Sequence, residues 1–180
     1  MHLSATTDSG RVYLQHCWEA CSAVQLHILE GKISVDIFGF PDEEASRVDA
    51  IMVNRATRRI FGTLEVKSRN FTEDTFSKRY NMELMVSFDK LQNSYWIVNR
   101  FRVPHWLMVY CIPSGVAFLK KVFVPGTGKD FRTLIEAPFR SRTEVSLVTH
   151  SSQDHREEAL SYVDMKGAER VIVKKKELPF

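Results

Sequence analysis

The chain has 180 residues, 44% of them hydrophobic, and a formal net charge of +3 at pH 7. That length and apolar fraction suit one domain with a real core. The charge is too small to mark a polyanion binder by bulk charge alone, and no apolar run is long enough to span a membrane.

Residues 1–10 read as a lead-in without the basic-then-apolar pattern of a secretory signal. With an odd number of cysteines, three, this predicts a protein of a reducing compartment that is not secreted. The spacing of Leu14, Trp18, Cys21 and Gln25 or Leu26 predicts a helix over 12–29, stopped by Gly31. Glu19 lies inside it. Cys17 and Cys21 share a face beside His16, but a zinc site needs more ligands, so buried thiols are expected. Residues 32–40 alternate as a strand, with Ile33, Val35 and Ile37 on one face and Asp36 and Phe38 on the other. Pro41-Asp42-Glu43-Glu44 breaks it.

The next two runs belong together. Residues 47–53 and 60–67 are strand-like, and the polar cluster from Asn54 to Arg59 reads as a hairpin loop. Centring that loop on Thr57 places Val53 opposite Phe61, Ile51 opposite Thr63 and Asp49 opposite Glu65, with Lys67 next on the same face. Two carboxylates directly opposite each other repel. A divalent cation between them reverses the sign of that interaction, so the pairing reads as a metal site with an amine beside it. A half-residue shift of the loop would instead put Asp49 and Glu65 on opposite faces. Glu65 and Lys67 would then form an exposed edge-strand ion pair in an unrelated α/β domain, worth little.

Beyond Arg69, residues 73–80 read as a short helix or a loop beside the site. A helix is predicted within 84–101 from the stripe Leu84, Phe88, Leu91, Tyr95 and Val98, ended by Pro104. Residues 106–112 are apolar throughout, as in a strand buried on both faces. Pro113-Ser114-Gly115 turns the chain into a further strand over 116–124. Pro125-Gly126-Thr127-Gly128-Lys129-Asp130 is not a P-loop, because residue 123 is Phe and residue 130 is Asp. A strand over 143–149, a helix over 153–164 capped by Ser151 or Ser152, and an apolar run over 168–173 complete the reading. His150, Asp154 and His155 read as a surface loop, and Lys174-Lys175-Lys176 as solvated charge.

Asp49, a strand-turn-strand, then Glu65-Val66-Lys67 resembles the core of the PD-(D/E)xK nuclease superfamily over residues 11–124. Val48 stands where the motif's proline would be. Asp42 follows a literal proline, but it sits in an acidic loop with no strand to fix it. The resemblance implies an α/β fold: a restriction-endonuclease-like αβββαβ core, a central mixed sheet flanked by helices. Residues 1–180 would form a single nuclease-like domain, with a C-terminal extension over 125–180 of open role.

The resemblance implies an Mg²⁺- or Mn²⁺-dependent endonuclease that hydrolyses phosphodiesters of nucleic acid, DNA before RNA. Asp49, Glu65, the Val66 carbonyl and Glu19 would hold the metal, and Lys67 would orient or activate the attacking water. Lys90 or Gln92 would supply a further catalytic group from the second helix. Arg69, Arg55, Arg58 and Arg59 are candidates for phosphate contacts. A homodimer, no membrane partner, and a cytoplasmic or nucleoid-associated location go with this reading. The alternative is a catalytically inactive nuclease-like module that binds nucleic acid or protein.

Overall fold

The computed structural model describes residues 8–39, 48–127, 132–145 and 157–173. Helix α1 (Asp8–Leu26) leads into strands β1 (Val35–Gly39), β2 (Ala50–Asn54) and β3 (Ile60–Arg69). A short helix α2 (Glu73–Lys78) and strand β4 (Glu83–Ser87) precede helix α3 (Phe88–Phe101). Strands β5 (His105–Cys111), β6 (Val116–Pro125), β7 (Thr133–Ile135), β8 (Phe139–Val145), β9 (Glu157–Asp164) and β10 (Glu169–Ile172) follow.

The central sheet runs β1-β2-β3-β5-β6-β10, with β7 also on β6. It is mixed: β3 and β5 are parallel, and the other neighbours are antiparallel. The fold is therefore mixed α/β: a central mixed sheet flanked by helices, with α2 and β4 standing between β3 and α3. Strand alternation explains where each helix sits. Leu64 and Val66 of β3 and Met108 and Tyr110 of β5 pack with Cys17, Ala20, Cys21 and Val24 of α1. Leu107 and Val109 point the other way and pack with Leu91 and Val98 of α3. The sheet thus has a core on each face, and β5 is buried along its whole length, as expected.

Four expectations change. First, the hairpin keeps Ile51 opposite Thr63, but a bulge between Met52 and Val53 puts Val53 opposite Ile60 rather than Phe61. Asn54 shapes the loop: its Oδ1 accepts the N–H groups of Ala56 and Thr57, and Arg58 takes a positive φ of 57°. Second, α1 presents Cys17, Ala20, Cys21 and Val24 to the core, whereas Trp18 is largely exposed. Third, residues 83–87 form a strand. The helix begins only at Phe88, because the Ser87 hydroxyl accepts the Lys90 N–H as a cap. Tyr95 faces outward, and Leu91, Ser94, Ile97 and Val98 form the buried stripe.

Fourth, the expected helix over 153–164 is strand β9 in its described part. It lies between β4 and β8 in a three-stranded sheet. The described chain beyond 125 also extends the central sheet through β7 and β10. Arg170 of β10 grips Glu73 of α2 with two bonds of 2.7 and 2.8 Å. Asp42, His150, Asp154, His155 and the lysine run lie outside the described residues.

Gly62 is required where β3 meets the β5 entry. A Cβ there would lie 2.8 Å from the Pro104 carbonyl oxygen and 2.9 Å from the Trp106 ring. That carbonyl is fixed by the Thr63 N–H at 2.9 Å, so it has nowhere to go. Gly62→Ala is expected to destabilise the fold by about 1–3 kcal/mol, read as a lower urea midpoint. An unchanged midpoint would show that the strands separate freely here.

Candidate metal and phosphodiester site

The site is built where β2 begins and β3 nears its end. The register places Ala50 opposite Leu64, and Asp49 continues it with its N–H donating to the Leu64 carbonyl at 3.1 Å. Asp49 thus comes level with Glu65. Its Oδ2 accepts the Val66 N–H at 2.7 Å, which fixes the carboxylate over the strand. Because Leu64 and Val66 face α1, Glu65 and Lys67 face the α3 side. The first turn of α3 delivers Lys90, held there by the Ser87 cap.

These side chains form a closed ionic cluster. Glu65 has 2% of its side chain exposed. Its Oε1 accepts from Lys67 Nζ at 2.5 Å and its Oε2 from Lys90 Nζ at 3.3 Å. Lys90 Nζ also lies 3.5 Å from Asp49 Oδ1 and so bridges both carboxylates. Burial, then the Glu65 charge, push the Asp49 carboxyl above its usual range, against Lys67, Lys90 and the Val66 N–H. Burial opposes charge on Lys67, but the Glu65 and Asp49 carboxylates together outweigh it, so this amine titrates above its ordinary value. With no metal on those carboxylates it is an ammonium at neutral pH.

Two further groups border the cluster that sequence reasoning missed. Tyr13 of α1 donates its hydroxyl to the Val66 carbonyl at 3.3 Å, and burial pushes its own ionisation well up. Its sequence signal was its place four residues before Cys17 on the buried face of α1. His105 lies opposite Thr63, and its Nδ1 meets Thr63 Oγ1 at 2.9 Å. Complete burial drives its pKa down to about 3, so the imidazole stays neutral. A histidine opening an apolar strand just after Pro104 was the only hint.

The remaining candidates are placed elsewhere. Glu19 is on α1, across the sheet from the cluster, and bonds Gln15 and His16 on its own helix. Gln92 is exposed, two residues and so about 200° around α3 from Lys90. Arg55 and Arg58 pair with Asp36, and Arg59 sits in the same loop. That loop is about 20 Å along β3 from Glu65. Arg69 is the arginine that stays near: it follows Lys67 on the same face and donates to the Ser68 and Met85 carbonyls at the rim. Cys17, Cys21 and Cys111 are buried free thiols.

Among the described residues no group of three or more His, Cys, Asp or Glu side chains could hold a metal. The donor set that does exist is two carboxylates and one main-chain carbonyl: Asp49, Glu65 and Val66. Such hard oxygens suit Mg²⁺ or Mn²⁺ with water completing the shell. The carboxylates already share one cation, Lys90 Nζ, so their spacing fits a bridging positive charge.

No protein-family model and no curated protein matches the chain. Among solved structures it is similar to Hjc, a Holliday junction resolvase of the archaeal hyperthermophile Archaeoglobus fulgidus. The identity is 14% and the TM-score 0.35, over 68% of this chain and 84% of that one. Among the described residues no helix is long and apolar enough to cross a membrane.

Proposed function

We propose that this chain is a metal-dependent endonuclease that hydrolyses phosphodiester bonds of nucleic acid, DNA before RNA. One observation carries the reading. Asp49, just before β2, comes level with the buried Glu65 of β3, and Lys90 bridges the two carboxylates, with Lys67 beside them. A stabilising ion pair needs one carboxylate; two in register cost stability unless a cation uses them. Asp49, Glu65 and the Val66 carbonyl would hold Mg²⁺ or Mn²⁺. The bound ion supplies positive charge against the phosphate and makes water a better nucleophile.

The chain's own residues do the rest. Glu65 fixes the Lys67 ammonium through its 2.5 Å bond, and the β3 backbone fixes Glu65. Lys67, beside the carboxylates that would hold the metal, would do electrostatic work: it would meet negative charge as it grows on the phosphate oxygens. Arg69, on the same face and now donating to the Ser68 and Met85 carbonyls, would hold the phosphate on one side of the scissile bond. A location in the cytoplasm or on the nucleoid, a homodimer, and a single nuclease-like domain belong to this proposal.

One observation favours a second reading. Glu65 is saturated by two lysines, so the cluster is already neutral as it stands. A non-catalytic nucleic-acid-binding or protein-interaction module would keep such a cluster for its fold alone. The two part on a single assay. Plasmid, linear, single-stranded and branched DNA, and RNA, are incubated with Mg²⁺ or Mn²⁺, with EDTA, and with Glu65→Gln. Cutting that needs the metal and disappears in Glu65→Gln is the expected result. Binding without cutting on every substrate would establish the inactive module.

A further inference from the structure

We propose that the metal-free site is held shut by the chain's own donors, and that a divalent cation enters by exchange, displacing the Lys90 ammonium. The inference rests on the metal-binding reading above. Each oxygen assigned to the metal already has a partner. Asp49 Oδ2 takes the Val66 N–H at 2.7 Å. Asp49 Oδ1 and Glu65 Oε2 share Lys90 Nζ at 3.5 and 3.3 Å. Glu65 Oε1 takes Lys67 at 2.5 Å, and the Val66 carbonyl takes the Tyr13 hydroxyl at 3.3 Å. Metal entry is therefore a competition among ligands and not the filling of a waiting cage.

Lys90 is the group that can leave. It alone contacts both of the carboxylates that would hold the metal. Its side chain is 31% exposed and stems from the first turn of α3. A lysine stem can swing an ammonium out to water while the helix stays packed through Leu91 and Ser94. Lys67 is less free, because it lies along β3 with its own bond to buried Glu65. A divalent ion and an ammonium a few ångströms apart repel strongly at the effective dielectric of a half-buried site. The resident charge thus lowers metal affinity, and it also neutralises the carboxylate pair when metal is absent.

The test is Mn²⁺ titration by calorimetry on wild type, Lys90→Met, Lys90→Arg and Glu65→Gln, with urea midpoints in EDTA. Lys90→Met keeps the stem and loses the charge. It is expected to bind Mn²⁺ roughly tenfold tighter or more and to have a lower midpoint in EDTA. Lys90→Arg, still charged, is expected to bind no tighter than wild type. Equal or weaker binding by Lys90→Met, with binding abolished in Glu65→Gln, overturns the exchange and leaves the metal site standing. No binding by wild type or Lys90→Met overturns both. Should Lys90→Met be unfolded in EDTA, recovery of its circular dichroism on adding Mn²⁺ supports the exchange. No recovery, repeated with Lys90→Gln, overturns it.

Discussion

Lys67→Met is expected to lower cleavage by about 10³-fold and to weaken the fold by about 3 kcal/mol, without unfolding it at neutral pH. Both effects follow from one contact. Glu65 is almost fully buried and Lys67 is its nearest counter-charge. Removing the amine leaves a buried carboxylate with only Lys90, 3.3 Å from its other oxygen. Methionine keeps the apolar stem against β3, so the lost energy is that of the charge. The pH dependence follows from the direction of the shift. Lys67 titrates higher folded than unfolded, so its stabilisation is complete below the unfolded value of about 10.4 and is lost as pH rises through the folded value. The gap between wild-type and Lys67→Met urea midpoints should hold steady from pH 7 to 9 and narrow above the unfolded value. A fully active Lys67→Met would remove the electrostatic role.

Asp49→Asn is expected to make the metal-free protein more stable at pH 7 and to abolish its response to metal. The Asp49 carboxyl is raised by burial and by Glu65, so the folded state prefers it protonated. Stability from that preference is present below the unfolded value of about 3.9 and is lost as pH climbs through the higher folded value. At neutral pH the ionised group therefore works against the fold. Asparagine removes the charge and can still accept the Val66 N–H through its carbonyl oxygen. Wild type should gain about 2.7 kcal/mol from Mn²⁺ at a hundredfold excess over Kd, and the variant nothing. The two stability orders therefore cross: the variant leads in EDTA and wild type leads in Mn²⁺. A variant less stable than wild type in EDTA would mean that the Lys90 contact to Asp49 outweighs its desolvation and the repulsion from Glu65. Cleavage should fall together with the lost metal response.

The parts of the fold legible in the sequence were those set by local alternation. The pairing of Ile51 with Thr63 follows from loop length and strand period, and it brings Asp49 level with Glu65 even though the bulge at Val53 shifts the loop end. The doubly buried β5 follows from an unbroken apolar run. What escaped was set by distant partners. Residues 83–87 continue the apolar spacing of α3, so strand and helix read as one period until the Ser87 cap divides them. β9 carries Glu and Ala with good helix propensity, yet β4 and β8 claim it on both edges. The helix period places Tyr13 on the buried face of α1, but its partner escaped for the same reason: it is a main-chain carbonyl 53 positions away. Glu19 lies on the helix from which a site acid is expected, but its carboxylate bonds Gln15 and His16 on that same helix.

The outermost strand, β1, has a property that bears on how copies of the chain meet at high concentration. A bare strand border offers N–H and C=O groups as a template for further strands. Here Gln25 of α1 accepts the Ile37 N–H at 2.9 Å, and Arg55 donates to the Val35 carbonyl at 3.1 Å. Arg55 is itself braced by Asp36 and by the Gln25 carbonyl. The hairpin arginine considered for phosphates thus occupies, with Gln25, part of this border and leaves fewer free main-chain groups there for another strand to pair with.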